Sequence, residues 1–188
     1  VNKIISLFRR NYETDHLVSN EVVPGAEWVL AGEGTPTRKW NGTCCMVRDG
    51  VLYKRYEVKR GKNRPPLFTA ATDTDPITGK TQGWVPVSAD SKEDKWSREA
   101  WREGIDLRTK ELFRNGTYEL CGPKVQGNPE DMPEHHLISH GAWILTTNPR
   151  TFDEIKEYFR LSSFEGIVWH HEDGRMVKIK ATDFWRNQ

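Results

Sequence analysis

Lys39-Trp40-Asn41-Gly42-Thr43, followed directly by Cys44-Cys45-Met46-Val47, is the stretch on which the reading of this chain turns. A lysine stands two residues before an Asn-Gly turn, and a strand-like run follows the turn. Cys44–Val47 and Val51–Val58 flank Arg48-Asp49-Gly50, and Asp-Gly between such runs is a hairpin signal. Lys39 is therefore expected at the mouth of an antiparallel sheet, just before its first hairpin.

The sequence has 188 residues, of which 36% are apolar and 11% aromatic, and eight tryptophans supply much of the volume for one core. A single domain over 1–188 is expected. The net charge of only +1 excludes a uniformly basic nucleic-acid binder, so any anion site must be local. No run approaches the roughly 20 apolar residues of a membrane span, and residues 1–8 are too short and mixed for a secretory leader. Three cysteines, with Cys44 and Cys45 on opposite faces of one strand, suit a reducing, cytoplasmic compartment.

Outward from the hairpin, Glu27–Leu30 reads as a short strand. The span 59–83, rich in Pro, Gly, Thr and Asp, reads as a long loop, functional or disordered. Trp84–Val87 reads as a strand. Ser91 opens a helix anchored by Trp96 and Trp101. Gly116–Leu120 is a strand ended by Gly122-Pro123, and His136–Leu145 looks extended. Thr151 caps a second helix, with Phe152, Ile155, Tyr158 and Phe159 at helical spacing. Phe164–His170 and Arg175–Ile179 form a hairpin around Asp173-Gly174. Strands dominate, two helices interrupt them, and the fold class is α+β.

The most basic stretch holds Lys54, Arg55, Lys59, Arg60, Lys62 and Arg64 against one acid, Glu57. It is either the solvated face of an edge strand or a contact for phosphates. Gly79-Lys80-Thr81 lacks the earlier glycine of a phosphate-binding loop, because position 74 is Thr. His136 and His140 have metal-ligand spacing for a shared helix face, but no CxxC partner accompanies them, which argues against zinc.

Lysine is a poor nucleophile at neutral pH, with a reference pKa of about 10.4. Neighbouring cations or a metal lower that value. Lys178 and Lys180 share one face of a strand and could lie beside Lys39, where both could hold one phosphate as its charge grows. Glu119 and Glu165 open two further short runs and could bind a metal or hydroxyl groups. Singly, each piece has a plain alternative: an edge-strand lysine pair discourages aggregation, and Glu-Gly in a strand marks a bulge.

Taken together, the pieces resemble the covalent nucleotidyltransferases. Lys39-Trp40-Asn41-Gly42 is similar to their motif I, Glu119-Leu120-Cys121-Gly122 to motif III of RNA ligases, Glu165-Gly166-Ile167-Val168 to motif IV, and Lys178-Ile179-Lys180 to motif V. The order is the family's, from residue 39 to residue 180. Lys-x-Asn-Gly-Thr-Cys-Cys, Tyr-Glu-Leu-x-Gly and Glu-Gly-Ile-Val-Trp-His resemble more narrowly the ATP-dependent RNA ligase branch typified by the vertebrate enzyme.

The resemblance implies an α+β adenylation domain of the ATP-grasp-like ligase type, with antiparallel sheets and flanking helices; with eight residues after Lys180, no OB-fold domain is expected. It implies that Lys39 attacks the α-phosphate of ATP, that AMP passes to an RNA 5′-phosphate, and that a 3′-hydroxyl then seals the strand. By motif, Glu119 touches the ribose with Arg55 as partner, and Glu165 binds Mg²⁺ (or Mn²⁺) or positions the lysine. Lys178 and Lys180 grip the α-phosphate. Backbone groups near Thr37 and Arg38, with Glu33, select the adenine edge. Trp143 is a candidate for stacking on the base, against the alternative of a core tryptophan. Lys54, Lys59, Arg60, Lys62 and Arg64 are the candidate RNA contacts, and the expected state is a monomer. Asn41 departs from the Asp of many members, which removes a charge beside the lysine. Two other readings stand: a nucleotidyltransferase passing its lysyl-linked nucleotide elsewhere, as in capping or protein modification, or an inactive nucleic-acid-binding module.

Overall fold

The computed structural model describes residues 4–185, so residues 1–3 and 186–188 of the expected domain lie outside the described residues. The chain forms two compact units, one from residues 4–40 and 143–185, the other from 41–142. Strands β1 (Ile5–Ser6), β2 (Phe8–Arg10) and β3 (Val18–Val22), helix α1 (Glu27–Leu30) and β4 (Thr35–Lys39) open the first unit. The second holds β5 (Thr43–Arg48), β6 (Val51–Val58), β7 (Thr69–Ala70), β8 (Thr81–Pro86), α2 (Lys95–Arg102), β9 (Gly116–Cys121) and β10 (His136–Ser139). Helix α3 (Phe152–Leu161) and strands β11 (Gly166–His170) and β12 (Met176–Lys180) return to the first.

In the first unit the main sheet runs β1-β12-β11-β4, with β1 parallel to β12 and the other pairs antiparallel. Ile167, Trp169, Val177 and Ile179 are buried together with Leu7, Phe8, Val29, Ile155, Phe159 and Phe184. Because side chains alternate along a strand, this core turns Val168, Lys178 and Lys180 to the other face. Helix α3 begins as expected: the Thr151 hydroxyl accepts the Glu154 N–H, and the Glu154 carboxylate accepts the N–H groups of Thr151 and Arg150. Those bonds, led by the one from Arg150, hold the Glu154 carboxyl below the usual carboxylate range. Ile155 and Phe159, one turn apart, face the core, and burying each contributes about 1.5–3 kcal/mol.

The second unit is built on the antiparallel sheet β10-β9-β5-β6-β8-β7. The Asp49-Gly50 hairpin forms as expected, with both residues at positive φ (52° and 74°), the pair of values a type I′ turn requires. Cys45, Val47, Leu52, Ala100, Tyr118, Leu120 and Leu137 make its core. Ser91 caps a short 3₁₀ turn, Lys92–Asp94, that leads into α2. Trp96 stacks on His135 and Trp101 on Phe113.

Three expectations need correction. Glu27–Leu30 is helical: the Glu27 carboxylate accepts the Gly25 N–H at 2.7 Å, and Ala31 N–H closes the turn onto Glu27 C=O. Four apolar-rich residues carry too little periodicity to separate a strand from one helical turn. His136–Leu145 is extended only to Ser139, and Gly141, at φ 81°, follows the strand's end. The span 59–83 contains β7 and the start of β8. Among the described residues no helix is long and apolar enough to cross a membrane.

Candidate active site

Strand β4, too polar to announce itself, carries Lys39 at its end. It pairs with β11 so that Lys39 lies opposite Gly166, and β11 pairs with β12 so that Gly166 lies opposite Lys180. Directly opposed residues on neighbouring strands point to one face, so Lys39 and Lys180 flank a glycine in a single row. Thr37, Val168 and Lys178 form the next row on that face. A Cβ at Gly166 would stand 2.3 Å from the Ile179 carbonyl oxygen, so only glycine fits between the two lysine strands.

Glu165, just before β11, forms an ion pair with Lys39, whose Nζ also donates to the Trp40 carbonyl at 3.2 Å. The side chains of Lys39 and Glu165 are only 23% and 16% exposed, so the pair is substantially withdrawn from water. After β12 the chain is fixed by Asp183, which accepts the Lys180 N–H and pairs with Arg10. Ala181 N–H bonds the Glu165 carbonyl at 2.8 Å, which ties the two motifs together through the backbone.

The other expected residues of this unit are already engaged. The buried Thr37 hydroxyl donates to the Val168 carbonyl and lies 3.0 Å from His170 Nε2. The Arg38 N–H donates to the Trp143 carbonyl, so that amide belongs to strand pairing. The Arg38 guanidinium lies over the rings of Trp40, Phe164 and Trp143, at 3.8, 4.1 and 4.9 Å from their centroids. Trp143 thus packs with Arg38 and Trp40. Glu33 pairs with His171 at an exposed turn, where Arg150 binds the carbonyls of Val29, Glu33 and Gly34.

In the second unit, Glu119 on β9 is nearly buried. Its Oε1 accepts the Gly42 N–H at 3.1 Å and its Oε2 lies 2.8 Å from His140 Nε2. Glu130 accepts the Asn41 N–H at 2.7 Å, so two carboxylates hold the turn after the lysine. Nothing in the sequence around Glu130 signals that role, because the polar loop carrying it has no periodicity. Gly42 is required by space: a Cβ there would stand 2.2 Å from the Leu120 carbonyl.

Arg55 donates to Gln82 at 3.3 Å and lies over the Trp84 ring. Lys54 is bound by buried Asp94 at 2.6 Å, which makes it a structural ion pair rather than an open phosphate contact. Lys59, Arg60 and Lys62 are exposed; Arg60 donates to the Ile77 carbonyl, and Arg64 lies over Phe68. Cys45 faces the core, where burial pushes its thiol up, whereas Cys44 faces Glu119 across β5 and β9.

Comparison with known proteins decides the family. The family model "RNA ligase 1" matches residues 69–185, more than half of the chain. The chain belongs to the RNA ligase 1 family. The match takes in Glu119, Glu165, Lys178 and Lys180 and begins after Lys39. Within the RNA ligase 1 family, the chain is 31% identical to the Rattus norvegicus protein over 129 residues, and 30% identical to that of Danio rerio over the same length. Each alignment takes in 54% of this chain and 39% of the relative. The Pongo abelii RNA ligase 1 is 26% identical over 212 residues, covering 77% of this chain and 65% of its own. The chain thus spans between 39% and 65% of the length of these relatives.

Proposed function

We propose that this member of the RNA ligase 1 family is an ATP-dependent RNA ligase in which Lys39 carries the nucleotide. The observation that supports this best is the row Lys39–Gly166–Lys180, with Lys178 on the same face and Glu165 on the lysine ammonium. Lys39 loses a proton, for which Glu165 is in contact as acceptor. Its amine then attacks the α-phosphorus of ATP, the bond to the bridging oxygen breaks, and pyrophosphate leaves. Lys178 and Lys180 offset the charge that builds on the α-phosphate oxygens, where fixed cations act most strongly.

AMP then moves from Lys39 to an RNA 5′-phosphate, and a 3′-hydroxyl displaces it to close the phosphodiester bond. Glu119 at the ribose, with Arg55, and the segment Glu33–Arg38 at adenine belong to the same proposal. Lys59, Arg60, Lys62 and Arg64 are proposed to meet the RNA backbone. Magnesium is held in such sites by one or two carboxylates with water and substrate phosphates, and the withdrawn carboxylate of Glu165 fits that donor set. When bound, it would neutralise phosphate charge. The proposal includes a monomer in the reducing cytoplasm, acting in RNA repair.

The test is direct. The chain is incubated with Mg²⁺ and α-labelled ATP, and the adduct is offered 5′-phosphorylated RNA or DNA. Label on the wild-type chain, lost in Lys39→Ala and discharged onto RNA alone, is the expected result. Absence of any adduct on a preparation shown by mass to be unmodified sinks the proposal.

A further inference from the structure

Three side chains that no step above brings together as a metal site converge on one face of the six-stranded sheet. Cys44 on β5 is the register partner of Glu119 on β9, so the two side chains stand side by side. His140 follows β10 and is fixed there by its N–H, which donates to the Thr117 carbonyl at 3.1 Å. Cys44 Sγ, one Glu119 carboxylate oxygen and one His140 ring nitrogen lie within 4.8 Å of one another. We propose that Cys44, Glu119 and His140 form a binding site for a borderline divalent cation of the Zn²⁺ class.

The donor set decides the class. A thiolate, an imidazole and a carboxylate suit Zn²⁺ and Co²⁺, whereas Mg²⁺ and Ca²⁺ prefer oxygen alone. Tetrahedral Zn²⁺, with ligand bonds of about 2.0–2.3 Å, sets its donors about 3.3–3.7 Å apart. The His140–Glu119 contact of 2.8 Å opens slightly to reach that spacing, and Cys44 Sγ lies within 4.8 Å of both other donors. The surrounding contacts also match a metal site. Thr117 Oγ1 lies 2.9 Å from His140 Nδ1 and fixes the ring, so that Nε2 faces Glu119. The Gly42 N–H holds the other carboxylate oxygen. Partners of this kind orient metal ligands.

On binding, the Cys44 thiol proton passes to solvent. Neutral His140 shifts its proton to Nδ1, from which it donates to Thr117 Oγ1, and Nε2 takes the cation. Three protein ligands leave a fourth position, and His140, about a third exposed, opens it to water. This is the arrangement of an exchangeable site rather than a closed structural one. The carboxylate of Glu119 is the group proposed above for the ribose, so cation and nucleotide would draw on the same residue. The binding test therefore uses no nucleotide, and the two readings fail separately.

The whole chain, stripped with chelator, is titrated with Zn²⁺ by calorimetry and with Co²⁺ by absorbance. One equivalent is expected to bind, Co²⁺ should show thiolate-to-metal charge transfer, and millimolar Mg²⁺ should not displace either ion. Cys44→Ser should abolish the charge-transfer band while Cys121→Ser keeps it. Thr117→Val, which leaves all three ligands in place, should weaken binding about 10-fold or more. Co²⁺ bound without a thiolate band, an unchanged band in Cys44→Ser, or displacement by Mg²⁺ would each overturn the site.

Discussion

The four-stranded sheet around Lys39 and the six-stranded sheet around Glu119 use charge in different ways. In the first, three lysines gather on one face and Glu165 contacts the lysine at the strand end. In the second, two charges of β6 are held in ion pairs. Lys54 is tied to buried Asp94, and Glu57 is bound by Lys80 and Gln82, with the Lys80 bond holding its carboxyl below the usual carboxylate range. Like charges held together raise the free energy of a surface that has no ligand, which favours the phosphate that the proposed function places there. The Lys54–Asp94 and Lys80–Glu57 pairs of the second sheet offset their own charge within the fold.

That contrast can be broken most decisively at its centre. Lys39→Ala should reduce adduct formation at least about a thousand-fold, the scale on which losing a nucleophile acts, as read by label transfer from α-labelled ATP. Adduct persisting on any lysine of residues 41–142 would reverse the roles assigned to the two sheets.

A pair of lysine variants sharpens the comparison. Lys180→Met should lower adduct formation at least about 100-fold, with stability in urea changed by about 1 kcal/mol or less. Lys54→Met should do the opposite. It strands the Asp94 carboxylate, whose side chain is 3% exposed, and removing one partner of a buried pair costs about 3–5 kcal/mol. Equal stability losses in the two variants would erase the distinction.

The glycines give a smaller effect. Gly166→Ala pushes a methyl against the Ile179 carbonyl and should destabilise the chain by about 1–3 kcal/mol, read as a lower Tm. Gly42→Ala meets the Leu120 carbonyl and should cost a similar amount. Gly166→Ala spreads the strands bearing Lys39 and Lys180, so it should also slow adduct formation.

The smallest effect is in pH. Burial raises the Tyr158 phenol above its ordinary value. The folded chain therefore keeps a proton that the unfolded chain has lost. The associated stability is fully present below the ordinary phenol pKa of about 10 and is lost as pH rises above it, through the raised pKa of the folded chain. Tyr158→Phe should flatten that part of the denaturation profile, and an unchanged slope would contradict the assignment.

Much of the fold was legible where the signal is local. Asp49-Gly50 fixes its hairpin through the turn geometry, Thr151 and Glu154 fix the start of α3, and Asp173-Gly174 separates β11 from β12. What failed was short or polar. Glu27–Leu30 has too few residues to show a period, and Thr35–Lys39 is a strand because β11 and residues 143–145 pair with its backbone. A pairing partner more than a hundred residues away leaves no mark on local composition.

The sequence by itself determined which residues carry the chemistry of the proposal, because a nucleophilic lysine, its carboxylates and its phosphate-holding lysines each need a particular side chain in a particular order. Only the tertiary structure decided their geometry. It set Lys39, Gly166 and Lys180 in one row, since strand register follows from long-range pairing and core packing. It also brought His140 to Cys44 and Glu119, three residues whose spacing along the chain matches no metal-binding pattern. Side-chain identity is local; proximity across a sheet is not.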